Sequence, residues 1–172
     1  MNKHSLIVII ASIVIVATVG YSGWNVFAVE NLKIASVESG SFSYFDLMND
    51  GKIEICNSLP FYVTLDGFEI VIFYNNENKG ILTIPKTTIS PQASSIVEGN
   101  FRSDLFVDTQ YLFLHLDGEF SGNQPIRIDP TKMFVLTNVK SPIIGVIPYT
   151  VSHQYSGFEF YSMMKDRTDF TC

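Results

Sequence analysis

The chain has 172 residues, enough for one domain and an appendage. Its charged fraction is 16%, its aromatic fraction 13% and its net charge −6. An acidic balance of this kind excludes nucleic acid and anionic lipid as electrostatic partners and leaves solubility as its plain meaning.

The first element is apolar. From Leu6 to Ala28 no charged residue occurs. As a helix this stretch would be about 34 Å long, against a hydrocarbon core of about 30 Å. Tyr21 and Trp24 fall near its far end, where amphipathic rings favour the membrane interface. Lys3 before it and Glu30 after it bias the N-terminus toward the cytoplasm and the remainder outside. Residues 1–29 are therefore expected to be a membrane anchor meeting the bilayer through residues 6–28. A cleaved signal peptide is the alternative, with Val26-Phe27-Ala28 as its cut site. Either way residues 30–172 form an extracytoplasmic domain, cell-membrane-bound or, after cleavage, secreted. From Asn31 onward the net charge is still −6, because Lys3 and Glu30, both outside that count, cancel.

Beyond the anchor the pattern is one of strands. Phe42 and Tyr44 alternate with Ser41 and Ser43, and Asn49-Asp50-Gly51 reads as a turn between two runs. Ile53 and Ile55 share one face. A long apolar run covers 61–74, followed by a hairpin loop at 75–80 ending in Gly80. Further strands are expected around 81–84, 93–101, 125–128 and 132–139. In 111–120, Leu112, Leu114 and Leu116 alternate with Tyr111, Phe113 and His115. The stretch 145–164 reads as strand, and 102–110 holds at most a short helical turn. About eight or nine short strands spaced by roughly 8–12 residues predict an antiparallel β-sandwich or barrel.

The stretch Cys56-Asn57-Ser58-Leu59-Pro60-Phe61 interrupts this pattern. Proline cannot donate to a ladder, and Asn and Ser bond their own backbone in bends. The chain should leave one ladder at Cys56 and enter another at Phe61. With a period of two, the bend also resets which residues face inward. Asp66-Gly67 marks a second irregularity before Phe68, Ile70 and Ile72.

This unit resembles the late-embryogenesis-abundant type 2 family, which shares the water-stress and hypersensitive-response (WHy) domain. Ile53, Ile55 and Asn57 match its apolar-x-apolar-x-Asn pattern. Ser58 stands where the family has its first proline, and the proline comes later as Pro60. Gly80, the Thr88–Pro91 step and Leu116-Asp117-Gly118-Glu119-Phe120 follow the family's order. The resemblance implies an immunoglobulin- or fibronectin-III-like antiparallel β-sandwich, all-β apart from one transmembrane helix. It also implies a non-enzymatic, often membrane-tethered, stress-protective role, and it makes Asn57, Pro60, Gly80 and Gly118 structural positions.

Chemistry is sparse. A disulfide between Cys56 and Cys172 is permitted outside the cytoplasm, and two free thiols are the alternative. The C-terminal Thr-Asp-Phe-Thr-Cys loosely suggests a sortase, but Cys172 is the last residue and no arginine follows it. His153, Met163, Met164 and Cys172 lack the order of a cupredoxin site. Asp104 with Asp108, and Asp117 with Glu119, are acid pairs too few for calcium. No catalytic, metal or cofactor residue is assigned. Outward aromatics among Tyr111, Phe113, Phe158, Phe160 and Tyr161 offer an apolar patch for a partner. Three functions follow: a non-catalytic envelope protection or interaction module, an accessory subunit of a membrane enzyme complex, or a lipid-binding sandwich.

Overall fold

The computed structural model describes residues 3–122, 128–143, 147–168 and 170–172. Helix α1 (Lys3–Glu30) is followed by strands β1 (Lys33–Ala35), β2 (Lys52–Asn57), β3 (Val63–Leu65) and β4 (Gly67–Tyr74). Then come β5 (Glu77–Ile84), β6 (Thr87–Ile89), β7 (Ala93–Glu98), β8 (Asn100–Arg102), β9 (Met133–Ile143) and β10 (Ile147–Ser156). Helix α2 (Tyr44–Asp50) lies between β1 and β2, α3 (Phe106–Phe120) between β8 and β9, and α4 (Gly157–Lys165) after β10.

All strand pairs are antiparallel. The sheets have the orders β1-β2-β7, β10-β9-β4-β5-β8 and β3-β6. Ile53 and Ile55 of the first, Ile70 and Leu82 of the second and Val63 of the third are buried in one core. The β4–β5 hairpin turns on Asn75 and Asn76, both at positive φ, as a type I′ turn requires. The turn is therefore shorter than the loop expected from the sequence. One residue is bulged out of β5, because Ile72 pairs with Gly80 but Phe73 with Asn78.

The expected ladder switch is present. β2 ends at Asn57 in the three-stranded sheet, and β3 starts at Val63 in the two-stranded one. The second irregularity is a second switch, into the five-stranded sheet at Gly67, with Asp66 N–H donating to the Lys140 carbonyl (2.8 Å). Of the inward set expected around the bend (Ile53 and Ile55, then Phe61, Val63 and Leu65, then Phe68, Ile70 and Ile72), all are buried except Phe61, which is half-buried and meets the Trp24 ring instead.

The all-β expectation is too narrow, since helix makes up 39% and strand 37%. Residues 44–50 are α2, not strand. Ser43 caps it by accepting from Asp46 N–H, and Gly51 ends it at φ 64°. The Asn49-Asp50-Gly51 turn signal was thus a helix C-cap, for which left-handed glycine serves equally well. Residues 111–120 belong to α3. Thr109, Phe113 and Leu116 are buried at helical spacing, whereas Leu114 faces outward. The strand at 145–164 ends at Ser156. There a capping box joins Ser156 to Glu159 and starts α4, which buries Phe160, Tyr161 and Met164. The strand expected at 125–128 lies mostly outside the described residues.

The C-terminal tail is tied down. Cys172 is bonded to Cys56, their Cα atoms 5.6 Å apart, and Arg167 pairs with Glu54 on the same strand, β2.

Candidate functional site

Two places gather the residues of interest: the bend beside α1 and a cavity just beyond it. Asn57 is buried at the bend and its amide is fully used. Nδ2 donates to the carbonyls of Phe61 (2.7 Å) and Ser90 (3.0 Å), and Oδ1 accepts from Leu59 N–H (3.1 Å). Gln92 N–H donates to the Leu59 carbonyl (3.0 Å). One side chain thereby fixes the 58–61 bend and joins it to the β6–β7 turn. Pro60 is exposed at the tip.

Helix α1 meets the domain at the same end. Most of it is exposed, but Ser22, Asn25, Ala28 and Val29 are buried. The Asn25 amide completes the free side of β3, since Thr64 N–H donates to its Oδ1 (3.2 Å) and its Nδ2 donates to the Thr64 carbonyl (3.3 Å). Nδ2 also reaches the Ser141 hydroxyl, which is buried on β9. Asn25 thus pairs with β3 as a neighbouring strand would.

Beyond this junction lies a cavity of about 280 Å³, close to the lower end of ligand pockets at about 300 Å³. Val29, Ile34, Ile55, Phe68, Val139 and Met163 form apolar walls drawn from α1, both larger sheets and α4. Glu30, Lys33, His153 and Asp166 also border it. Thr137 and Tyr155 supply hydroxyls, and the Tyr155 phenol is raised above its ordinary value by burial, partly offset by its hydrogen bond with Thr137. Hydrophobic walls with a few convergent polar groups favour binding of an apolar ligand.

The remaining sequence candidates scatter. Gly80 sits inside β5, where a Cβ would lie 2.1 Å from the Phe101 ring, so its absent side chain makes room for that ring. Gly118 is on α3, where its carbonyl accepts from the Ser121 hydroxyl (3.1 Å), far from the strand setting the family's order implied. The disulfide occupies both thiols, so neither is the free nucleophile of a transpeptidase. His115 Nδ1 lies 2.8 Å from the Tyr111 carbonyl on α3. Among the described residues, no three His, Cys, Asp or Glu side chains come together as a metal site.

Sequence reasoning weighed Asp117 only as half of an acid pair and missed its place at the start of α2. Its carboxylate accepts from Ser43 Oγ (2.9 Å), Tyr44 N–H (2.8 Å) and Phe45 N–H (2.9 Å), and so anchors the start of α2. Burial nevertheless holds it above the usual carboxylate value. Burial likewise pushes the Tyr44 hydroxyl, which donates to the Gly157 carbonyl (2.6 Å), well above its ordinary value. The sequence signal for this contact was Ser43-x-x-Asp46, the spacing of a helix start.

No family model matches the chain. No curated protein matches it either. Among solved structures, it is similar to a protein from Archaeoglobus fulgidus at 10% identity and a TM-score of 0.30, over 73% of this chain and 94% of that one.

Proposed function

We propose that the chain is a single-pass membrane protein whose β-rich domain lies outside the cytoplasm and serves as a non-catalytic binding module of the cell envelope. The observation that carries this reading is the junction at Asn25. Helix α1 is long and apolar enough to cross a membrane, and its last turns are built into the domain. Cleavage after Ala28 would remove Ser22 and Asn25 from that packing, which favours a retained anchor. The disulfide agrees with an oxidising compartment. Kinship with the type 2 late-embryogenesis-abundant and WHy proteins, and with it envelope stress protection, belongs to the same proposal. So does reading the two larger sheets as an immunoglobulin- or fibronectin-III-like sandwich with helices added. The Asn57 bend supports that kinship, and the helical setting of Gly118 departs from it.

The cavity beside the anchor favours an apolar ligand, a lipid tail among them. A separate observation favours the accessory-subunit reading: Val107, Tyr111 and Leu114 lie at i, i+4 and i+7 of α3 and are all exposed. The test of the main reading is alkaline extraction of membranes holding the full chain, with intact mass measured on the pellet. A pelleted chain that retains residues 1–28 supports it. A chain that is extracted, or starts after Ala28, sinks the anchor. A stoichiometric partner after mild solubilisation would favour the subunit reading.

A further inference from the structure

The bend at Leu59–Tyr62 lies alongside the helix that precedes the domain. Trp24 and Phe61 meet edge to face, with ring centroids 4.9 Å apart. Tyr62 is 59% and Trp24 60% exposed, and Tyr21 and Phe27 are also open. Grooves between α1 and the bend run along the helix from Gly20 past Trp24 to Phe27 and are closed on the other side by Pro60, Tyr62 and Pro91. From Asn57 to Leu65 the sequence carries no charge. An aromatic, uncharged tip held rigidly by Asn57 yet left open is costly to keep in water.

Its height on the helix decides what covers it. If the apolar core begins at Leu6, about 30 Å of hydrocarbon takes about 20 residues and ends near residue 26. Gly20 then lies about 9 Å below that boundary. The bend's ring contact at Trp24 lies about 3 Å below it, so the groove from Gly20 to Phe27 straddles the interface, where lying elements sink about 5–10 Å. Asn25 leaves no slack with which to lift the domain away.

We propose that Leu59–Tyr62, together with Pro91, is a second membrane contact that enters the headgroup and upper acyl region of the bilayer α1 crosses. Trp24 and Tyr62 belong to one aromatic belt, and the domain stands on the membrane at two points with a fixed tilt. The bend of the Asn57-Ser58-Leu59-Pro60 stretch shapes this foot. The inference rests on the reading of α1 as a span.

The full chain is reconstituted at low density in phosphatidylcholine vesicles with and without bromine on the upper acyl carbons. Three versions are compared: wild type, whose single tryptophan is Trp24, W24F/Y62W and W24F/E98W. Glu98 is exposed on β7 and lies about 16 Å along that strand from Ala93, the partner of Asn57. The expected result is that the indole at position 62 loses emission to bromine by a fraction comparable with Trp24, while that at position 98 loses none. Quenching at 24 without quenching at 62 overturns the proposal and leaves the anchor standing. No quenching at either overturns both. Quenching at 62 that grows only on dilution into excess lipid means a second copy covers the tip, which also overturns it.

Discussion

Replacing Asn57 with alanine removes three hydrogen bonds at once, two to the carbonyls of Phe61 and Ser90 and one from Leu59 N–H. Each such bond contributes about 1 kcal/mol net, and a partner left dry costs about 1–3 kcal/mol. The bend is partly solvated, because Ser58 and Pro60 are exposed, so water re-pairs some of these groups. We therefore expect N57A to lose about 3 kcal/mol, which for a domain of this size lowers the melting temperature by about 6–12 °C. N57D separates donors from volume. It keeps the acceptor for Leu59 N–H but turns an oxygen toward two carbonyls, so it should be at least as damaging. N49A is the control, since Asn49 makes one exposed bond to the Phe45 carbonyl and should cost less than about 0.5 kcal/mol. The assay is thermal unfolding of the full chain in detergent micelles, followed by near-ultraviolet circular dichroism. If N57A melts with N49A, the amide does not hold the bend and the reasoning fails.

Other outcomes follow from the same structure. Replacing Cys56 and Cys172 by serine opens a loop of 116 residues, worth up to about 5 kcal/mol in the chain-entropy view; protease should then clip the tail after Lys165, and unchanged resistance would refute its tethering. Asp117 is held above its ordinary value mainly by burial, so its share of stability is full below the unfolded carboxylate pKa and lost as pH rises through the folded one. Melting curves taken across the mildly acidic range should show that loss in wild type and not in D117N; parallel curves would contradict it. G80A forces a Cβ against Phe101 and should cost about 1–3 kcal/mol. That cost should shrink in an F101L background, whereas additive effects would mean the ring is not what Gly80 accommodates.

The bend was legible in the sequence because Asn, Ser and Pro each carry a local backbone preference that tertiary packing did not override. The anchor was legible because a charge-free run of that length has few other uses. Helices α2, α3 and α4 were not, and the reason lies in particular residues. Leu112, Leu114 and Leu116 satisfy a period of two, but Thr109, Phe113 and Leu116 satisfy the helical one in the same stretch, and packing chose the latter. Ser156-x-x-Glu159 marked the start of α4, yet the aromatics around it have strong strand preference. Both thiols were visible, but their meeting depended on the tail running back to β2. The cavity and the Asn25 lock join residues far apart in the chain, and nothing local to either announces them.

The central claim is that α1 spans a membrane with the domain outside. Labelling intact cells with a membrane-impermeant amine reagent tests it most directly, because Lys3 stands at the N-terminal end of α1, before its apolar stretch, and the exposed Lys86 and Lys140 lie on the domain. We predict that Lys86 and Lys140 are modified in intact cells and Lys3 only after lysis. Modification of Lys3 alone before lysis, or of Lys86 and Lys140 only after it, would contradict the account.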